Sequence, residues 1–256
     1  MSKVLVIPDV HLKPIMFERA AKILDSGQAD FAVQLGDIFD DWGQEFNYRL
    51  YDMTTDKAIE FHKKYPKTLW CMGNHDFGYY FPEYGRRETG HSKMQEDTMA
   101  DNAARMVGAG IEQKTIHVVD NVIFSHAGLT RKWAEKIKVN WDELTKYGKM
   151  TLDELNDHVI EDQINAVSDL DLLWEENSPF WARPQQHADE IMFTDKMQVV
   201  GHTPMKNITF ENNILSTDVF STHSNGALIG SRRFVIVDTV RQRFWLGNEG
   251  EIRVNL

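Results

Sequence analysis

Apolar residues in this chain gather into short unbroken runs, and each run leads into polar residues of a narrow kind. Val4-Leu5-Val6-Ile7 leads into Pro8-Asp9-Val10-His11, and Phe31-Ala32-Val33-Gln34-Leu35 into Gly36-Asp37-Ile38-Phe39-Asp40. Thr68 to Met72 leads into Gly73-Asn74-His75-Asp76. Val122-Ile123-Phe124 leads into Ser125-His126-Ala127-Gly128, and Met197 to Val200 into Gly201-His202-Thr203-Pro204. A run this short between turn formers predicts a buried strand. Strands without polar alternation are those covered on both faces, as in parallel sheets. Chemistry in α/β proteins gathers at the carboxyl ends of such strands. The pattern therefore predicts that Asp9, His11, Asp37, Asn74, His126 and His202 meet along one edge of one sheet.

Between the runs the period changes. Ile15, Phe17, Ala20, Ala21, Ile23 and Leu24 follow helical spacing, which predicts a helix ending near Ser26-Gly27. A second helix is expected from about Asn47 to Tyr65, with Ala58, Ile59, Phe61 and His62 inward and Pro66 as its stop. This βαβαβ order predicts a mainly parallel sheet with right-handed crossovers. The segment 77–110 opens on Phe77, Tyr79, Tyr80, Phe81 and Tyr84, read as the packing of an insertion, and its helix is expected only from about Ser92 to Val107. The segment 130–195 reads as mostly helical. One helix there opens at the capping box Thr151-Leu152-Asp153-Glu154. The segment ends in Trp181-Ala182-Arg183-Pro184, expected to cover the site. Further strands are expected at 197–200, 207–210, 214–217, 234–237 and 243–246, with hairpin turns at Asn212-Asn213 and 238–242. No repeat or linker interrupts the pattern. A single domain over 1–256 is expected, with the insertions 77–110 and 130–195 forming a cap or cleft wall.

Composition narrows the function classes. With 256 residues, 42% hydrophobic and 26% charged, the chain belongs with soluble globular proteins that bury a full core. Its 28 basic and 39 acidic side chains give a net charge of −11, which opposes non-specific nucleic-acid binding and anionic membranes. A small phosphate ester held by cations is still compatible, because local divalent charge overrides the global field. Cys71 is the single cysteine and sits in an apolar run, so it is expected to be buried and unpaired. A reducing, cytoplasmic setting is expected on that ground. The first apolar run lacks the pattern of a secretory leader, and no apolar stretch approaches the ~20 residues of a membrane span.

The candidate ligands are carboxylate, amide and imidazole, a mixed set that suits Mn, Fe, Zn or similar ions rather than Ca or a cysteine-type zinc site. Two-metal hydrolysis needs a carboxylate shared between the ions. Asp37, at a strand end after Gly36, is placed to bridge. Asp9 and His11 lie two apart, so an extended segment would turn both toward one ion. Asn74 offers a neutral carbonyl, and His126 and His202 offer nitrogens for a second ion.

Asp9-Val10-His11, Gly36-Asp37-Ile38-Phe39-Asp40, Gly73-Asn74-His75-Asp76, His126 and Gly201-His202 resemble, in this order, the motifs of the calcineurin-like metallophosphoesterases, from residue 4 to about 218. The resemblance implies an α/β fold, a four-layer αββα sandwich of two mixed β-sheets with helical insertions. It also implies a dinuclear centre: Asp9, His11 and Asp37 on the first ion, and Asp37, Asn74, His126 and His202 on the second. Manganese is the first choice, with Fe, Zn, Ni or Mg as alternatives. His75 would then be no ligand but the general acid, oriented by Asp40, since a neighbouring carboxylate favours a protonated imidazole.

Ser125-His126-Ala127-Gly128-Leu129 and Gly201-His202-Thr203-Pro204 resemble the branch of serine/threonine protein phosphatases and diadenosine tetraphosphate hydrolases. The Gly-His-x-His ending of many phosphodiesterases is lacking. That branch carries Arg after its second Asp, whereas this chain has Asp41-Trp42-Gly43. Arg183 is the first candidate to bind phosphate instead, because a guanidinium matches phosphate oxygens bidentately, and Arg86 and Arg87 stand behind it. Arg86, Arg87 and His91 are otherwise read as solvated loop residues, Asp76 as a cap and His62 as structural, while His223, although close after Asp218, carries no spacing signal that would place it in the site. The expected function is hydrolysis of phosphomonoesters by in-line attack of metal-bound hydroxide, with a small molecule, nucleotide or phosphoprotein as substrate. A serine/threonine protein phosphatase is one form of that activity; the alternatives are a nucleotide or dinucleoside polyphosphate hydrolase, a phosphodiesterase or nuclease, and a non-catalytic metal-binding scaffold.

Overall fold

Val4 and Val6 turn to one face of the first strand, Leu5 and Ile7 to the other, and all four are fully buried. Both faces are covered because a second sheet lies on one and helices on the other. The structure, a computed structural model, describes residues 2–86, 91–144, 157–187, 190–192 and 195–249, with side chains described outside 138–144 and 157–159. The Thr151-Leu152-Asp153-Glu154 box and Arg87 lie outside the described residues.

One sheet has six strands in the order β11-β10-β1-β2-β3-β4. They are β1 (Lys3–Ile7), β2 (Phe31–Gln34), β3 (Leu69–Cys71), β4 (Gln113–Lys114), β10 (Val235–Asp238) and β11 (Arg243–Leu246). β1 to β4 run parallel, and β10 and β11 join antiparallel. The other sheet has the order β5-β6-β7-β9-β8. Its strands are β5 (Ile116–Val119), β6 (Val122–Ser125), β7 (Met197–Val200), β8 (Thr209–Glu211) and β9 (Ile214–Ser216). The five ligand-bearing runs are thus divided, three in the first sheet and two in the second, which corrects the expectation of a single sheet. A strand covered on both faces has the same apolar signature in either sheet, so hydrophobicity alone could not separate them.

The layers follow from alternation along each strand. Val4, Val6, Val33 and Cys71 from the first sheet meet Val122, Phe124, Val199 and Leu215 from the second between the sheets. Leu5, Ile7, Ala32 and Trp70 turn outward onto α1 (Ile15–Asp25), α2 (Tyr48–Lys64) and α5 (Glu96–Gly108). Ile116 and Ile123 turn outward onto α6 (Arg131–Leu144), α7 (Asp157–Asn165) and α8 (Leu170–Leu173). This is the expected four-layer αββα arrangement. Phe124 sits fully buried at its centre, where truncating a Phe to Ala costs about 3–5 kcal/mol. Among the described residues no helix is long and apolar enough to cross a membrane.

α1 and α2 form where helical spacing predicted them. Tyr51, Thr54, Thr55, Ala58 and Phe61 are the buried face of α2, and His62 accepts a bond from Trp70 Nε1 at 3.2 Å, a structural role. The segment after β3 departs from expectation: α3 (Asn74–Tyr80) and α4 (Pro82–Gly85) are helical, and α5 starts at Glu96 after a 3-10 turn at Lys93–Gln95. Asp76 explains α3. Its carboxylate accepts from Gly73 N–H (3.2 Å) within the first turn and from Ile38 N–H (2.9 Å), capping the helix and tying it to the loop after β2. Asn212 and Asn213, at φ 51° and 61°, make the expected tight hairpin turn between β8 and β9.

The loops after β2 and β3 touch backbone to backbone. Gly36 has φ +95°, and a Cβ there would lie 2.4 Å from Gly73 N. A Cβ on Gly73 would lie 2.1 Å from Asp37 Oδ1. Only glycine permits this approach, and it sets Asp37 beside Asn74 and His75.

Candidate metal centre and active site

Loops at the carboxyl ends of strands from both sheets supply the site. His11, Asp37, Asp40 and His202 all have positive φ, at 42°, 50°, 64° and 62°. Left-handed backbone at a non-glycine residue costs about 1–3 kcal/mol and persists only where surrounding bonds enforce it. Here Val10 and His11 N–H both bond the Asp37 carbonyl at 2.9 Å, and Leu12 N–H bonds that of Ile38 at 3.0 Å. His11 therefore sits in a turn rather than on the expected extended segment. The turn still brings its Nε2 to 3.9 Å from Asp9 Oδ2 and 3.7 Å from Asp37 Oδ2.

Asp37 stands at the centre. Its Oδ1 accepts from His75 N–H at 3.0 Å, which holds the carboxylate plane. Its Oδ2 lies 3.7 Å from His11 Nε2 on one side and 3.3 Å from His126 Nε2 on the other. Around His126 Nε2 gather Asn74 Oδ1 (2.9 Å) and His202 Nδ1 (3.1 Å), themselves 3.1 Å apart. Asp9 Oδ2 accepts from His202 N–H at 2.9 Å, linking the two groups.

The donor set fits cations. His126 Nδ1 gives its hydrogen to the Leu35 carbonyl at 2.9 Å, and His11 Nδ1 gives its own to the Asp40 carbonyl at 2.9 Å. Both Nε2 atoms therefore present lone pairs. Facing them are the carboxylate oxygen Asp37 Oδ2 and the amide oxygen Asn74 Oδ1. Asp9 Oδ1 and His202 Nε2 are buried without a hydrogen-bond partner. Converging lone pairs with too few hydrogens call for a positive ion. Asp37, His126 and His202 offer donor atoms all within 4.8 Å of one another, and so do His11, Asp37 and His75.

Electrostatics agree with that need. Burial, with Asp218 and Asp37 nearby, raises Asp9 well above the carboxylate range. Burial raises Asp37 to about 8 against the pull of His75. Burial also lowers His11 and His126 to about 3, with charge on His75 adding, so both are neutral as ligands must be. His75 goes the other way. Burial would lower it, but Asp37 and Asp40 outweigh burial and raise it to about 9.

These shifts predict how the metal-free fold responds to pH. Between pH 6.5 and 8 the folded chain keeps protons on Asp37 and His75 that the unfolded chain has released, so stability falls as pH rises. The lowered His11 and His126 act in the opposite sense, but below pH 6.5. The melting temperature of chelator-treated protein should drop from pH 6.5 to 8, and added manganese should restore it by binding the folded state. A flat or rising profile across that window would contradict this account.

His75 rises from the first turn of α3, and its Nδ1 donates to Asp40 Oδ2 at 3.0 Å. It lines a cavity of about 260 Å³ with His11, Asp37, Asp40, Asn74 and His202. Trp42, Trp181 and Arg183 line the same cavity. Arg183 Nη1 donates to Thr203 Oγ1 at 2.8 Å, which points the guanidinium toward the loop carrying His202. Arg86 instead pairs with Glu96, away from the cavity. His91 is not solvated as expected: its side chain is 4% exposed, packs on Tyr79 with ring centroids 4.6 Å apart, and bonds Glu96. Asp218 is buried and held by Ser221, whereas His223 does not line the cavity. Tyr51 and Tyr79 are the residues that sequence reasoning missed. Both donate to Asp40, and neither stands within a motif that could have pointed to it.

The family model of calcineurin-like phosphoesterases matches residues 2–227. No curated protein matches the chain. Similar solved structures include a metallophosphoesterase from Sphaerobacter thermophilus, 14% identical over 96% of this chain and 86% of that one, with a TM-score of 0.47. A protein serine/threonine phosphatase from Saccharomyces cerevisiae is 12% identical over 98% of this chain and 81% of that one, with a TM-score of 0.49. TT1561 of Thermus thermophilus is 10% identical over 97% and 99%, with a TM-score of 0.45.

Proposed function

The chain belongs to the calcineurin-like phosphoesterase family, whose members hydrolyse phosphoesters with a dinuclear metal centre, and from that premise we propose that it is a phosphomonoesterase. The observation that carries the reading is Asp37 Oδ2, which faces His11 Nε2 and His126 Nε2 from one atom, as a carboxylate shared between two ions would. Asp9, His11 and Asp37 would hold one ion, and Asp37, Asn74, His126 and His202 the other. When bound, the two ions supply Lewis acidity toward phosphoryl oxygens and lower the pKa of an attacking water. Manganese is our first choice, since a mixed N/O set does not itself select one metal.

The chain's own residues complete the reaction. His75 holds a proton at Nε2, because Nδ1–H is committed to Asp40. As water adds its OH to phosphorus and the P–O bond to the alcohol breaks, the leaving oxygen takes the Nε2 proton. The proton released by the water returns the imidazole to its charged form. Proton donation of this kind contributes about 10²–10⁴-fold. Arg183 binds the phosphoryl oxygens from the cavity wall, in place of the arginine that Asp41-Trp42-Gly43 lacks. Arg183→Ala should raise KM for a phosphomonoester about tenfold with a smaller change in kcat, as loss of one charge-assisted contact does. An unchanged KM would assign Arg183 to its bond with Thr203 alone.

Pro204 stands where many phosphodiesterases carry a second histidine, which supports monoesters over diesters. Trp181 and Arg183, from the segment 130–195, form part of the cleft wall, whereas no described residue of 77–110 lines the cavity. A second reading, with a nucleotide as substrate, is favoured by Trp42 and Trp181, two indoles in one small cavity that could hold a base. Manganese-loaded protein should hydrolyse p-nitrophenyl phosphate faster than the bis ester. Preference for the bis ester would overturn the proposal. Far faster release of phosphate from nucleotides than from either aryl ester would select the second reading.

A further inference from the structure

Three hydrogen-bond donors from two helices end on one carboxylate. Asp40 is 2% exposed. Its Oδ2 accepts from His75 Nδ1 at 3.0 Å. Its Oδ1 accepts from the Tyr51 hydroxyl of α2 at 2.7 Å and the Tyr79 hydroxyl of α3 at 2.5 Å. The two tyrosine rings meet edge to face at 6.3 Å, with Phe39 stacked on Tyr51 and edge-on to Tyr79. The cavity wall includes Asp40 and His75 but neither tyrosine. Tyr51 and Tyr79 therefore have no direct route to a substrate.

We propose that Tyr51 and Tyr79 are positioning residues for the proton donor, holding Asp40 so that His75 presents Nε2 to the leaving group. The inference rests on the reading of His75 as general acid. An aspartate carboxylate turns freely about its last torsion, whose preference is broad and two-fold. Two hydroxyls on Oδ1 remove that freedom and leave Oδ2 alone for His75 Nδ1. Tyrosine suits the task because it is rigid and places one donor at a fixed reach. Burial, with the charge of Asp40, raises both phenols above their ordinary range, so they remain donors.

A second layer ties this arrangement to the insertion. The Tyr79 hydroxyl also accepts from Ser92 N–H at 3.1 Å, and the His91 ring packs on Tyr79. Ser92 Oγ and Gln95 Nε2 both donate to the Glu45 carbonyl, at 2.8 and 3.0 Å, which fastens 92–95 to the loop that follows Asp40. The hydrogen bond from His75 to Asp40 is thus supported by the loop after β2, by α2, by α3 and by residues 91–95.

The test compares manganese-loaded wild type, Tyr51→Phe, Tyr79→Phe and His75→Asn on two monoesters, 2,4-dinitrophenyl phosphate and phenyl phosphate. The first has a leaving group that needs no proton; the second needs one. Each Phe variant should lose about tenfold in kcat on phenyl phosphate and less than about twofold on the dinitrophenyl ester, with bound manganese unchanged. A merely structural role would lower both esters together or neither, and either result overturns the proposal. If His75→Asn lowers both esters equally, His75 is no proton donor, and the proposal falls with that reading. If His75→Asn is selective and the Phe variants are not, only the positioning role fails. Should Tyr79→Phe melt below the assay temperature because it also loses Ser92, Tyr51→Phe alone decides, since among the described residues its hydroxyl bonds only Asp40 and Tyr79. Proton NMR of the metal-free protein adds a readout independent of turnover. The downfield Nδ1–H signal that vanishes in His75→Asn should move or broaden in both Phe variants, and an unmoved signal counts against the proposal.

Discussion

Replacing Asp37 by asparagine should lower phosphoester hydrolysis by at least about a thousandfold and abolish tight binding of two ions. Asparagine is the informative choice. It tolerates the left-handed backbone at φ 50° better than other residues of its size. Its carbonyl oxygen can still accept from His75 N–H, as Asp37 Oδ1 does at 3.0 Å. The change therefore removes a charge and a shared oxygen with little change in shape. The metal-free variant should melt no lower than wild type at pH 8, because burial of Asp37 opposes its ionised form there. Loss of activity with retained or raised stability would identify a functional carboxylate. Loss of both together would mean that Asp37 holds the fold. Calorimetry of manganese binding, a melt and a rate assay on one preparation distinguish these outcomes.

His75→Asn should lower kcat on an ordinary aryl or alkyl monoester by about 10²–10⁴-fold while both ions stay bound. The geometry leaves a real competitor, since His11, Asp37 and His75 also offer donor atoms close enough to share an ion. Two observations favour proton transfer. His75 Nδ1 is committed to Asp40, and the neighbouring carboxylates raise the imidazole to about 9, whereas His11 and His126 are lowered to about 3. A histidine that binds a metal must be neutral. Metal content measured on the purified variant decides: two ions retained supports the acid, and one ion lost makes His75 a ligand.

Much of this was legible along the chain. The run Val4-Leu5-Val6-Ile7 announced a strand buried on both faces, and β1 is one. The spacing of Ile15 to Leu24 announced α1. The polar residues after each run announced a cluster, and the structure brings Asp9, His11, Asp37, Asn74, His126 and His202 together. Other features left no trace in the sequence. Tyr51 reads as one more apolar position of α2, and Tyr79 as one aromatic among five, yet both hydroxyls end on Asp40. His91, expected to face solvent, is covered by Tyr79. These depend on where distant segments meet.

Sequence pattern was thus enough for the buried strands and for α1 and α2, and for which ligands stand at the strand ends, but not for α3 and α4. Periodicity and turn chemistry act over a few residues, and local physics reads them directly. The tertiary structure alone decided that these strands belong to two sheets and that His11 turns through a left-handed backbone to face Asp37. It also decided that Gly36 and Gly73 touch, and that three donors converge on Asp40. Each of these joins groups from separate segments, and such contacts exist only once long-range pairing has closed the loops between them.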